Sequence, residues 1–238
     1  MAVAHDAVSE SHGGTTGSAS EASFTWDHTP VGTPRSVLVF TCENANADSA
    51  TAVTYGGVSL TAVPGGLAQD SAGEPRNTKA WHLGSSIPAG VQAIVVTRTN
   101  NANVMYAGCF TATADFDTEP TGVVTAGSDG SCIETNIDDG SPGSNSLRYA
   151  SCNSALNTVS ASPAANTLAQ GANSTFSLSI DFGTSVILMV RETTAGQGSR
   201  PVGYDAATSD DRAICLLAIR EIITAAGRYN YSTLLGVR

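Results

Sequence analysis

The stretch Thr51-Ala-Val-Thr-Tyr-Gly-Gly-Val-Ser-Leu-Thr-Ala-Val63 reads as two short strands joined by a tight turn. β-Branched and aromatic residues on either side favour extended backbone. Gly56-Gly57 supplies the positive φ angles that a two-residue hairpin turn needs. Working outward, residues 36–42 (Ser-Val-Leu-Val-Phe-Thr-Cys) form a near-continuous apolar run, the pattern of a strand covered on both faces. Residues 23–28 carry Phe24 and Trp26 on one face, and residues 79–83, 91–98 and 104–113 continue the series. Further along, residues 175–180 alternate, with Phe176, Leu178 and Ile180 inward, and 186–190 (Val-Ile-Leu-Met-Val) read as a second doubly covered strand. Weaker strand signals fall at 123–125, 131–137, 148–152 and 201–204.

Residues 213–223 admit two readings. Asp210 and Gly227 would cap a helix, but the apolar residues occupy every helical face and many are β-branched, which favours a strand. No internal repeat of fixed period is visible. The expected fold is all-β, an antiparallel sandwich or jelly-roll-like arrangement with extended N- and C-terminal segments. Its expected organisation is a segment at 1–22 serving as edge strand or arm, a sandwich at 23–223 with a variable insertion at about 115–175, and a docking tail at 224–238.

The formal charge is -10, with Lys79 the single lysine, and such a balance opposes nucleic-acid binding because phosphate neutralisation needs clustered cations. No run approaches the ~18 apolar residues of a membrane helix. The first residues lack the basic and apolar regions of a signal peptide, so export by that route is not expected. Cys42, Cys109 and Cys215 lie in apolar runs and read as small buried hydrophobes. Cys132 and Cys152 sit in polar surroundings, where pairing is an option.

Phosphate loops, His-Glu-x-x-His and Gly-x-Ser-x-Gly motifs are absent. His5 and His12 fall near the start, and His28 and His82 near strand ends, all four read as ordinary surface histidines. Asp115, Asp117 and Glu119 share one parity in a stretch without basic residues, which makes them the candidate Ca²⁺ ligands beside the plainer reading of a solvated acidic loop. No cofactor is expected. Most aromatics sit at core-like positions, with Tyr149, Tyr204, Tyr229 and Tyr231 as exceptions. The tail holds Arg228, Tyr229, Tyr231, Leu234, Leu235, Val237 and Arg238 and no acid. Apolar and basic together, these seven form the expected assembly interface, with docking onto the chain's own sandwich as the alternative.

Three quoted stretches carry a family resemblance: Ser23-Phe-Thr-Trp-Asp-His-Thr29, Arg35-Ser-Val-Leu-Val-Phe40 and Val53-Thr-Tyr-Gly-Gly-Val-Ser-Leu-Thr61. With Ala80-Trp-His-Leu-Gly84 and Pro88-Ala-Gly-Val-Gln-Ala-Ile-Val-Val96, they resemble a β-sandwich module of tailed-phage structural proteins and some bacterial surface proteins. The resemblance covers about residues 1–113 and resumes at 186–219. It rests on turn glycines and core strands, so it transfers no functional residue. It implies a non-enzymatic virion protein assembled in the host cytoplasm, a head-decoration or accessory component. The implied partners are capsid or tail subunits and further copies of itself. The alternative is a receptor- or carbohydrate-binding module of a tail fibre or surface adhesin.

Overall fold

The computed structural model describes residues 3–14, 21–45, 47–70, 75–99, 103–113, 122–129, 132–134, 145–155, 158–160, 167–181, 186–196, 202–206 and 210–220. The first half holds β1 (His5–Glu10), β2 (Ser23–His28), β3 (Ser36–Glu43), β4 (Ala50–Tyr55), β5 (Val58–Ser59), β6 (Thr61–Asp70), β7 (Arg76–Leu83), β8 (Gln92–Arg98) and β9 (Met105–Ala112). The second holds β10 (Gly122–Asp129), β11 (Cys132–Glu134), β12 (Ser146–Ser154), β13 (Thr158–Ser160), β14 (Thr167–Gln170), β15 (Ser174–Asp181), β16 (Val186–Glu192), β17 (Val202–Ala206) and β18 (Asp210–Arg220). The expected hairpin forms, with Gly56 and Gly57 at φ 55° and 80° and Tyr55 paired to Val58 across the turn.

β3 is buried at every residue because it lies mid-sheet and both of its faces are covered. Its five-stranded sheet runs β1-β9-β3-β7-β6. One face, with Val37, Val39, Trp81 and Cys109, packs on Phe24, Val53, Tyr55, Ile94 and Val96 of the four-stranded sheet β2-β8-β4-β5. The other face, with Leu38, Phe40, Tyr106 and Phe110, packs on Leu147, Tyr149, Met189 and Leu217 of a second five-stranded sheet, β10-β18-β12-β16-β15. That sheet is buried on its far side too, where Cys152, Leu188, Val190 and Leu216 meet Val202 and Tyr204 of β11-β17-β14-β13. The molecule is therefore two β-sandwiches stacked back to back in four layers. Among the described residues every strand pairing is antiparallel except β13 with β14.

The all-β sandwich expectation holds, and the 213–223 reading resolves as strand: β18 has a partner on each side, β10 and β12. Residues 115–175, expected as an insertion, contain β10 to β13, β14 and the start of β15, all belonging to the second pair of sheets. The N-terminal segment includes β1, an edge strand paired to β9. The alternation over 175–180 is broken by a bulge between Phe176 and Leu178. An extra residue reverses facing, so Phe176 packs in the outer core of the second sandwich while Leu178 and Ile180 pack between the sandwiches.

The second inner sheet repeats the first: adding nine to each strand number converts β1-β9-β3-β7-β6 into β10-β18-β12-β16-β15. The outer sheets match in β2-β8 and β11-β17 and differ only in their last two strands. β6 packs over β10 while β1 reaches β15. Under the nine-strand shift these are one contact seen from each half, so the halves face each other about an approximate two-fold axis. This repeat escapes a sequence search because topology constrains which face is apolar, not which residues fill it.

A buried ion pair lies inside each sandwich. Glu43 accepts from Arg98 Nη2 at 3.0 Å and from Ser49 Oγ at 2.8 Å, with both charged side chains at 0% exposure. Glu192 meets Arg148 Nη1 at 3.4 Å and accepts from Asn173 Nδ2 at 3.0 Å. Removing one member strands its partner's charge away from water. Glu43→Ala is expected to lower stability by about 3–5 kcal/mol, read as a shift in the urea midpoint at unchanged slope.

The close approach of the sandwiches depends on Gly108, where a Cβ would lie 2.5 Å from Leu178 Cδ1 and Met189 Sδ. Those atoms are ends of flexible side chains, so a methyl is accommodated by small shifts and a larger group is not. Gly108→Val is expected to cost about 1–3 kcal/mol by overpacking, with Gly108→Ala distinctly milder in the same denaturation assay.

Candidate functional site

The polar side chains with chemical potential converge on β1. This strand lies at the sheet edge, where its residues reach β2 and β9 on one side and β12 on the other. The alternation that turns Phe24 and Trp26 inward on β2 also turns His28 inward, and His28 has no exposed surface.

A single directed chain of hydrogen bonds runs through His28. Trp26 Nε1 donates to Ser9 Oγ at 3.0 Å, and Ser9 Oγ lies 2.8 Å from His28 Nδ1. On the other ring nitrogen, His28 Nε2 lies 3.1 Å from Thr111 Oγ1, which donates to Asp6 Oδ2 at 2.9 Å. Indole can only donate and carboxylate can only accept, so the direction is fixed throughout. Ser9 donates to Nδ1, and the proton sits on Nε2 and points at Thr111. Asp6 Oδ1 also accepts from the Gly32 amide at 2.6 Å. Beside this chain, the Tyr106 hydroxyl donates to the Glu10 carboxylate and Ser11 Oγ accepts from the Ala107 amide at 3.0 Å.

Burial holds His28 at about 4, well below an ordinary imidazole, against an opposing pull from Asp6. His5 is likewise lowered to about 4, first by burial and then by Arg191. Its Nδ1 lies 3.3 Å from the Tyr149 hydroxyl. Tyr149 is fully buried, and burial pushes its ionisation far up, so it stays a donor at any ordinary pH.

A Ser-His pair at 2.8 Å resembles the start of a nucleophilic triad. Here, however, His28 is sealed from solvent and both ring nitrogens are already engaged, which makes the network a tie between strands. The surface reading of the histidines is therefore corrected for His28 and His82, both buried because they share parity with core residues or lie in the fully covered inner sheet. Tyr149 and Tyr204 are corrected in the same way: both are at 0% exposure and cannot serve as stacking platforms. Cys152 is buried in the outer core of the second sandwich, and the side chain of Cys132, its optional partner, lies outside the described residues.

Beside β1 a groove of about 380 Å³ opens at the junction of the two sandwiches, lined by Val3, Ala4, His5, Leu147, Arg191 and Thr193 to Ala195. The candidate Ca²⁺ ligands Asp115, Asp117 and Glu119 lie outside the described residues, as do the tail residues Arg228, Tyr229, Tyr231, Leu234, Leu235, Val237 and Arg238. Among the described residues no three His, Cys, Asp or Glu side chains gather as a metal site. Comparison with protein-family models, curated proteins and solved structures gives no match.

Histidines whose pKa is lower in the fold than in the unfolded chain stay neutral as acid is added, while the unfolded chain takes up protons first. Their contribution to stability is complete above about pH 6.5, declines as pH falls, and levels off near pH 4. Urea midpoints measured across that window are expected to fall with acid in the native chain and to fall less in His28→Gln.

Proposed function

We propose that this chain is a non-enzymatic structural protein of a tailed-phage virion, a head-decoration or accessory protein that binds neighbouring subunits and forms homo-oligomers. The observation that carries this reading is the use of the chain's best catalytic candidates as internal ties. His28, at 0% exposure, is held between Ser9 and Thr111 and meets no substrate. The likeness of residues 1–113 and 186–219 to a phage structural module supports the same reading.

The mechanism is mechanical. Back-to-back sandwiches with buried faces on every inner layer resist shear, because a relative slide would expose apolar side chains from both sheets at once. The tail at 224–238 supplies apolar area worth about 25 cal/mol per Å² removed from water when a neighbour covers it. Arg228 and Arg238 meet acidic surface there, as the chain's -10 charge allows when the neighbour is another copy.

Light scattering on the full chain and on a form lacking residues 225–238 tests this. The full chain is expected to be oligomeric and the truncated form a folded monomer that no longer co-sediments with assembled particles. Unchanged mass and unchanged co-sedimentation after truncation would sink the assignment of the tail as assembly element.

A further inference from the structure

We infer that the groove beside β1 is a binding site for a small anion, a ligand carrying one carboxylate or phosphate group. Its walls come from both sandwiches: Val3, Ala4 and His5 from the first, and Leu147, Arg191, Thr193, Thr194 and Ala195 from the second. At about 380 Å³ it falls at the lower end of the size range of ligand pockets.

Arg191 is the reason to expect an anion. It is half-buried at the end of β16, and its hydrogen bond is a long one, 3.4 Å from Nη1 to the neighbouring Glu192 carbonyl. No carboxylate pairs with it among the described residues. The adjacent Glu192 side chain points to the opposite face of the strand, into Arg148 and Asn173. Arg98 on β8 and Arg148 on β12 are, by contrast, each compensated by a buried glutamate. A half-desolvated guanidinium without a carboxylate, in a chain carrying -10, is an open fork for a bidentate acceptor.

Two further groups shape the site. The Tyr149 hydroxyl needs an acceptor, and His5 Nδ1 is the one it has, so the His5 proton lies on Nε2 as a donor. Thr194 is exposed at the rim with its hydroxyl available, while Thr193 pairs with Thr175 at 2.9 Å. The charged and titratable groups facing His5 are Arg191, Asp6 and His28, with the Tyr149 phenol behind it. Of these, Asp6 is occupied by Thr111 and the Gly32 amide. An anion bound to Arg191 would cancel the positive field that now disfavours protonated His5. Binding and His5 protonation are therefore linked, and the anion binds more tightly as pH falls toward 4.

The test is a titration of the full chain with sodium phosphate, balanced against sodium chloride at constant ionic strength, following the His5 ring by NMR. The expected result is a saturable upward shift in the His5 pKa, with affinity about tenfold weaker in Arg191→Gln. Arg191→Lys, which keeps the charge and loses the fork, is expected to fall between and serves if the glutamine variant does not fold. A linear response equal in native and variant chains would mean an ion atmosphere only and would overturn the site, as would no response of His5. Light scattering in parallel separates the source of the anion. A mass that falls as phosphate rises would reassign the groove to a carboxylate of a second copy, against the free ligand inferred here.

Discussion

A β-sheet that is apolar on both faces must be covered on both, and that constraint generates the whole architecture. β3 has no exposed residue, and β9, β12 and most of β16 are nearly the same. Two such sheets can each satisfy one face against the other, which leaves each needing one further cover. The four-stranded outer sheets provide it, and β2 turns Ser23, Thr25 and Asp27 to solvent on its far side. Four layers are thus the smallest arrangement that buries both inner sheets.

The back-to-back contact is only partly apolar, and its polar members locate it. Thr78 donates to Ser151 Oγ at 2.9 Å, Cys42 Sγ lies 3.0 Å from the same oxygen, and Asn153 donates to the carbonyls of Glu43 and Asn77. Hydrogen bonds are directional, so these pairs fix the register between sheets where apolar packing alone would tolerate sliding. Burial holds the Cys42 thiol up at about 11, which keeps it a neutral partner in that cluster. At the edge of the same inner sheet, β1 extends the principle outward. Its side chains tie β2, β9 and β12 together, so an edge strand becomes a clasp across three layers.

This distribution supports the structural role we propose. Groups that in another setting would be nucleophile and base are here desolvated and fully bonded, which suits permanence rather than turnover. Arg191 departs from the pattern, and it does so where the two sandwiches part to form a groove.

Much of the fold was legible in the residues. Hairpin glycines, period-two alternation and the apolar runs at 36–42 and 186–190 each report a local preference that survives folding. The parity that His28 shares with Phe24 and Trp26 accounts for its inward turn, yet a histidine at a strand end reads as surface, and its burial came only from the structure. The buried pairing of Glu43 with Arg98 was not legible, because 55 residues separate them and neither position differs from a solvated charge in its local pattern. Nor did the alternation at 175–180 reveal that a bulge divides it between two cores. By itself the sequence determined that the chain is built of antiparallel strands with doubly covered members, since side-chain periodicity is a property of neighbours along the backbone. Only the tertiary structure decided that there are two sandwiches with matching topology, that β1 clasps their edge, and that His5 and Arg191 share a groove. Those are contacts between residues distant in the chain, and they depend on which faces meet rather than on any local pattern.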